Sequence, residues 1–93
     1  MEATVTDNRE RSRYELTLDG EPAGWIDYVR GDGVLTMTHA EIRRDHRSRG
    51  LGETLVRDAL ADVRAHGAKV RPVCPFVAAY VRRHGETHDL VAE

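Results

Sequence analysis

Near residue 43 the hydrophobic period of this 93-residue chain changes from two to 3.6, and that switch limits the folds open to it. Before it, apolar and polar residues alternate. Tyr14, Leu16 and Leu18 form one such run, which stops at the turn pair Asp19-Gly20. Ala23–Val29 is a second run, closed by the turn stretch 30–33, and Val34–Ile42 is a third. Strands joined by turns this short make an antiparallel meander, with residues 3–7 expected to add a short edge strand. Along the third run, alternation predicts Leu35, Met37, His39 and Glu41 on one face and Val34, Thr36, Thr38, Ala40 and Ile42 on the other.

After the switch, residues 43–52 are polar and glycine-containing. From Leu51 onward apolar residues fall at 51, 55, 56, 59, 60 and 63, a helical spacing that Gly67 is placed to stop. Residues 68–73 read as one more strand. Cys74 and Pro75 then open a second helix, because a proline at the first helical position loses no hydrogen bond there. Phe76/Tyr80 and Val77/Val81 are spaced four apart on it, and it is expected to end near Gly85. The order predicts an α+β (α/β) fold: an antiparallel β-meander, then glycine loop, helix, strand and helix. The result is a mixed sheet flanked by two helices. Residues 1–93 suit a single domain with one core, of a size that leaves little margin of stability. The first few residues, and those after Leu90, read as frayed.

Charge narrows the partners. The formal net charge is −2, so no global attraction to nucleic acid or to a membrane surface is expected. No basic segment followed by an apolar run opens the chain, and no apolar stretch approaches the ~20 residues of a membrane span. One cysteine makes no internal disulfide. A cytoplasmic monomer or weak dimer is the expectation.

The strongest chemical signal is RSRGLGETL, residues 47–55, set between a strand and a helix. Gly50 and Gly52 let backbone approach a ligand. The helix start attracts anions, and Arg43, Arg44, Arg47 and Arg49 add positive charge. A pyrophosphate fits that description. The dinucleotide-binding pattern lacks its third glycine here, and the nucleotide phosphate loop with Gly-Lys-Ser/Thr is absent.

Arg47, Gly50 and Gly52, after a strand ending at Ile42, resemble another pattern: Gln or Arg, two residues, Gly, one residue, then Gly or Ala. It is the pyrophosphate loop of the GNAT acetyltransferase superfamily. Residues 39–84 are similar as a whole to its small single-domain members. Those run His-Thr-Glu-Val, a glycine loop, a helix, Lys-Val-x-Pro-x-Cys-Pro-Phe, and a tyrosine-containing helix ending in His. This chain departs from them at Ala40 (usually Thr), Arg43-Arg44 (often two prolines) and Gly85 (commonly Pro).

The resemblance implies acetyl-coenzyme A as cosubstrate, no metal, and transfer of acetyl to an unidentified amine. That amine is a small amine, a protein lysine or an N-terminus. It implies that Ala40, Glu41 and Ile42 pair with the pantetheine. Arg47, Ser48, Arg49, Gly50, Leu51, Gly52 and Glu53 would hold the pyrophosphate, with Cys74 and Tyr80 beside the thioester. Tyr80 matches the tyrosine that protonates the departing thiolate; packing against the core explains it equally. His39 and Glu41 are candidate bases, or a structural histidine and a solvated carboxylate. Cys74, at a helix start that favours thiolate, is a candidate nucleophile or acid/base, or a small buried residue.

Four further readings are open. A non-catalytic acyl-coenzyme A binding module explains the loop without an acceptor. A Cys–His hydrolase would combine Cys74 with His39 or His84 and Asp89, but leaves the glycine loop unexplained. A metal site would need the His84/His88 pair, which spans Gly85. A nucleic-acid role for the arginine cluster lacks interleaved aromatics.

Overall fold

A computed structural model describes residues 2–47 and 50–92. Four antiparallel strands come first: β1 (Ala3–Asn8), β2 (Arg13–Leu18), β3 (Glu21–Gly31) and β4 (Val34–Ile42). After a short 3₁₀ turn at Arg44–His46 follow α1 (Leu51–Ala65), β5 (Lys69–Pro72) and α2 (Pro75–Arg83). A second 3₁₀ segment, Gly85–Leu90, closes the chain. The five-stranded sheet keeps sequence order, with β5 added parallel to β4. The fold is therefore α+β with a mixed sheet.

Local chemistry explains the meander. Asp19-Gly20 and Asp32-Gly33 each take positive φ at both positions and join directly paired strand ends, Leu18 to Glu21 and Gly31 to Val34. That is the two-residue turn whose twist matches its strands. The inward faces of the strands and one face of each helix form a single core. From α1 it takes Leu51, Leu55, Val56, Ala59, Leu60 and Val63; from α2, Val77, Tyr80 and Val81. Each leucine or valine among them stabilises the fold by about 1.5–3 kcal/mol when fully buried. Tyr14 and Tyr28 enter this core with their rings 5.6 Å apart and their hydroxyls donated to Asp62 and Asp7, which satisfies both phenols. Among the described residues the opposite sheet face carries no helix. No helix among the described residues is long and apolar enough to cross a membrane.

The expected edge strand forms, and two sequence expectations need correction. Simple alternation along β4 fails at Thr38. Tyr28 faces Met37 while Asp27 faces His39, so Thr38 is an extra, bulged residue. Leu35 and Met37 point into the core, but His39 and Glu41 then point away from it. Ala40 and Ile42 take over packing against the core. The edge strand is a full six residues and reaches Asn8. Val91 and Ala92, after Leu90, are not frayed: Val91 bridges Val70, and Ala92 donates its N–H to the Val70 carbonyl at 2.8 Å. A lone tail covers the far edge of β5 because Arg64 holds the Asp89 carboxylate through two contacts, 2.8 and 3.0 Å. Lys69 bonds the Asp89 carbonyl at 2.7 Å.

Candidate functional site

The β4–β5 ladder ends early. Its last pair is Met37 with Pro72, and a proline has no N–H to extend a ladder. The N–H groups of Val73 and Cys74 both converge on the Met37 carbonyl, at 3.1 and 2.8 Å. Pro75 then starts α2 and carries the chain away. From Thr38 to Ile42, β4 runs on with no strand beside it on that side among the described residues. The sheet forks there, and the sequence Pro-Val-Cys-Pro makes the fork.

A slot opens along the free edge. Its inner cavity, about 140 Å³, is lined by Ala40, Glu41, Ile42, Gly52, Leu55 and Phe76. A wider one of about 270 Å³ shares Ile42, Gly52 and Phe76 with it and extends to His46, Arg47, Gly50, Leu51 and Glu53. The shared residues make the two cavities continuous. Gly50 stands at the N-cap of α1 in the left-handed region (φ 70°) and supplies no side-chain cap. The first-turn N–H groups of α1 thus face the wider cavity without a capping side chain, the ordinary condition for binding an anion. Gly52 lets the Phe76 ring come close: a Cβ there would stand 2.7 Å from that ring, which would have to turn aside. Arg47 extends its Nε to the Ile42 carbonyl at 3.0 Å and fastens the loop to the strand end. His46 Nδ1 is buried without a partner among the described residues. Ser48 and Arg49, also expected at the loop, lie outside the described residues.

The candidate bases meet. Nε2 of His39 lies 3.1 Å from Oε1 of Glu41 on the helix-free face, and Glu41 also borders the inner cavity. Trp25 sits opposite Glu41 and Asp27 opposite His39 on β3. Cys74 and Tyr80 are not brought to the slot in the same way. The backbone of Cys74 forms the fork, while its side chain is buried in the core and lines neither cavity. Tyr80, one turn beyond Phe76, is buried and stacks on His84 with ring centroids 3.9 Å apart. It borders a separate crevice with Arg57, Ala61, Arg64 and Glu86. Burial first, and the Glu86 carboxylate second, hold its phenol above the usual range, so it stays protonated at neutral pH.

The Cys–His hydrolase and the His84/His88 readings lose their geometry. Asp89, needed for a Cys–His hydrolase, is committed to Arg64. His88 is turned to the Val81 carbonyl at 2.9 Å and His84 to Tyr80. Among the described residues no group of three His, Cys, Asp or Glu could hold a metal ion. Sequence reasoning missed Phe76 and Leu55 as slot walls and Trp25 beside Glu41. Only the i,i+4 partnership of Phe76 with Tyr80 hinted that its helix face mattered.

These features fit a cosubstrate with an anionic head and a slender, amide-bearing arm: an uncapped helix start, a glycine cradle and an unpaired strand edge. A family model described as GCN5-related N-acetyl-transferase matches residues 13–90. No curated protein matches the chain.

Proposed function

The chain belongs to the GCN5-related N-acetyltransferase family, and from that premise we propose that it transfers acetyl from acetyl-coenzyme A to the nitrogen of an amine. The observation that carries the reading is the fork between β4 and β5, opening beside the uncapped start of α1. Acetyl-coenzyme A would supply a thioester, whose carbonyl carbon is open to attack and whose thiolate can depart.

The chain's residues divide the work. Arg47, Gly50, Leu51, Gly52 and Glu53 would hold the pyrophosphate, and Ser48 and Arg49, outside the described residues, are expected to share that role. The N–H groups of the first turn of α1 provide the fixed positive end of the helix. The edge of β4 from Ala40 to Ile42 offers unpaired backbone groups to the amides of the pantetheine, much as an added strand would. Leu55, Ile42 and Phe76 keep water from the arm. Glu41 and His39 form the proton acceptor. Glu41 touches the slot, and His39, bonded to it at 3.1 Å, passes the proton toward the open face. Direct transfer in a ternary complex suits the burial of Cys74 better than an acetyl-cysteine route does.

Two measurements test this. Saturating acetyl-coenzyme A should raise the melting temperature, since a ligand present at about 100 times its Kd stabilises by ~2.7 kcal/mol. A panel of amines should then show release of free thiol. An unmoved melting temperature would end the proposal. Binding without thiol release from any amine would leave a binding module.

A further inference from the structure

A second crevice adjoins the slot on the helix-free face of the sheet. It is open, about 500 Å³, and bounded by Trp25, Glu41, Arg43, Arg44 and Asp45. Glu41 lines both this crevice and the inner cavity of the slot, so a molecule seated here has one end at the Glu41–His39 pair, the proposed proton acceptor. The remaining walls are chemically distinct. Trp25 gives an aromatic surface directly across the strand pair from Glu41. Arg13 holds it in place: its guanidinium lies 5.2 Å from the ring centroid and is itself fixed by Glu15 at 2.9 Å. Past the end of β4 stand two guanidinium groups. Arg43 lies 4.0 Å from Asp45, whose other oxygen is 3.8 Å from His46. Arg44 has no carboxylate within 4.0 Å among the described residues. The charged side chains of the crevice thus sum to zero, with carboxylate at the slot end and an uncommitted arginine at the strand end.

We propose that this crevice is the acceptor subsite and that it takes a small primary amine which also bears an anionic group. The inference rests on the acetyltransfer reading and adds to it the class of acceptor. The ammonium end is drawn to Glu41 and gives up a proton to the Glu41–His39 pair. The anionic end is held by Arg44, whose planar fork matches a carboxylate or a phosphate. The carbon skeleton lies along Trp25. Transfer forms one nitrogen–carbon bond and breaks the thioester carbon–sulfur bond. The departing sulfur ends as a thiol, and one proton is released overall from the ammonium. A neutral, two-ended crevice disfavours a polyamine, whose charges would meet Arg43 and Arg44.

Trp25 is the chain's single tryptophan, so its emission reports occupancy of the crevice without requiring turnover. The protein is titrated with matched pairs, phenylalanine against phenethylamine and phosphoethanolamine against ethanolamine, and with spermidine alone. The anion-bearing member of each pair should perturb the emission at about tenfold lower concentration, the worth of one partly exposed arginine contact. Arg44→Gln, at an exposed position, should shrink that gap to under about threefold and leave the plain amines unchanged. Equal titration within each pair, an unaltered gap in Arg44→Gln, or tightest binding by spermidine would each overturn the assignment. The two proposals fail separately. If acetyl-coenzyme A leaves the melting temperature unmoved, the acetyltransfer reading falls and takes this one with it. If acetyl-coenzyme A binds but the pairs titrate alike, only the acceptor class is wrong.

Discussion

Replacing Gly52 with alanine should separate cosubstrate binding from stability. The new Cβ would stand 2.7 Å from Cζ of Phe76 and 3.1 Å from Cε2. Ordinary contact begins at 3.4 Å, so the ring must retreat by 3.4 − 2.7, or about 0.7 Å. Phe76 is 41% exposed and borders both cavities of the slot, so the ring has room to turn, but only across the slot. A displaced rotamer costs about 0.5–1.5 kcal/mol. Against that, alanine favours a helix over glycine by up to ~1 kcal/mol, and somewhat less in the first turn. The two nearly cancel, so Gly52→Ala should melt within about 8 °C of wild type. Acetyl-coenzyme A meets a different situation. The added methyl and the turned ring both occupy its path, and overpacking costs ~1–3 kcal/mol. A central value of about 2 kcal/mol weakens binding roughly thirtyfold. Isothermal titration calorimetry measures the affinity and differential scanning fluorimetry the stability. Adding Phe76→Leu should remove the collision and recover most of the lost affinity, a coupling that a double-mutant cycle isolates. Affinity within twofold of wild type in Gly52→Ala would show that Phe76 does not border the ligand's path. A stability loss above about 3 kcal/mol would show a ring that cannot move.

Cys74→Ala should leave acetyl transfer within about twofold while costing ~1 kcal/mol of stability for the small void left in the core. A loss of turnover beyond a hundredfold with folding intact would restore the thiol to the chemistry. The buried phenols set an alkaline limit. Burial, reinforced by the hydrogen bond to Asp62, raises the pKa of Tyr14 well above its ordinary value. Burial, reinforced by the hydrogen bond to Asp7, does the same to Tyr28. A folded-state pKa above the unfolded one means stability fully present below about pH 10 and lost as pH rises past it. Urea midpoints measured at pH 8 and above pH 10 should fall in wild type. The fall should be shallower in Tyr14→Phe, which starts about 1–2 kcal/mol lower because Asp62 loses its donor. An equal fall in both would contradict the burial argument.

Much of the fold was legible because the governing interactions are local. Asp-Gly pairs specify the hairpin turns by backbone preference, the alternation of Tyr14, Leu16 and Leu18 marks an inward face, and Pro75 opens a helix by its own geometry. The glycine loop before α1 was equally readable, since residue types at fixed spacing define an uncapped helix start. Sequence alone therefore sets the order of the elements and the place of the glycine loop that is proposed to bind the pyrophosphate. Three things waited for tertiary structure. The bulge at Thr38 turns His39 and Glu41 out to the helix-free face, and a bulge arises from pairing register against β3, which Val34–Ile42 does not encode alone. The roll of α2 about its axis sends Phe76 to the slot and Tyr80 to the neighbouring crevice, and that roll depends on how Val77 and Val81 pack into the common core, where α2 meets α1, β4, β5 and the last 3₁₀ segment. The same packing buries the Cys74 side chain while leaving its backbone at the fork. Local rules act through neighbours a few residues apart. The site is built from residues 25 to 76, and only long-range packing decides which of their faces meet.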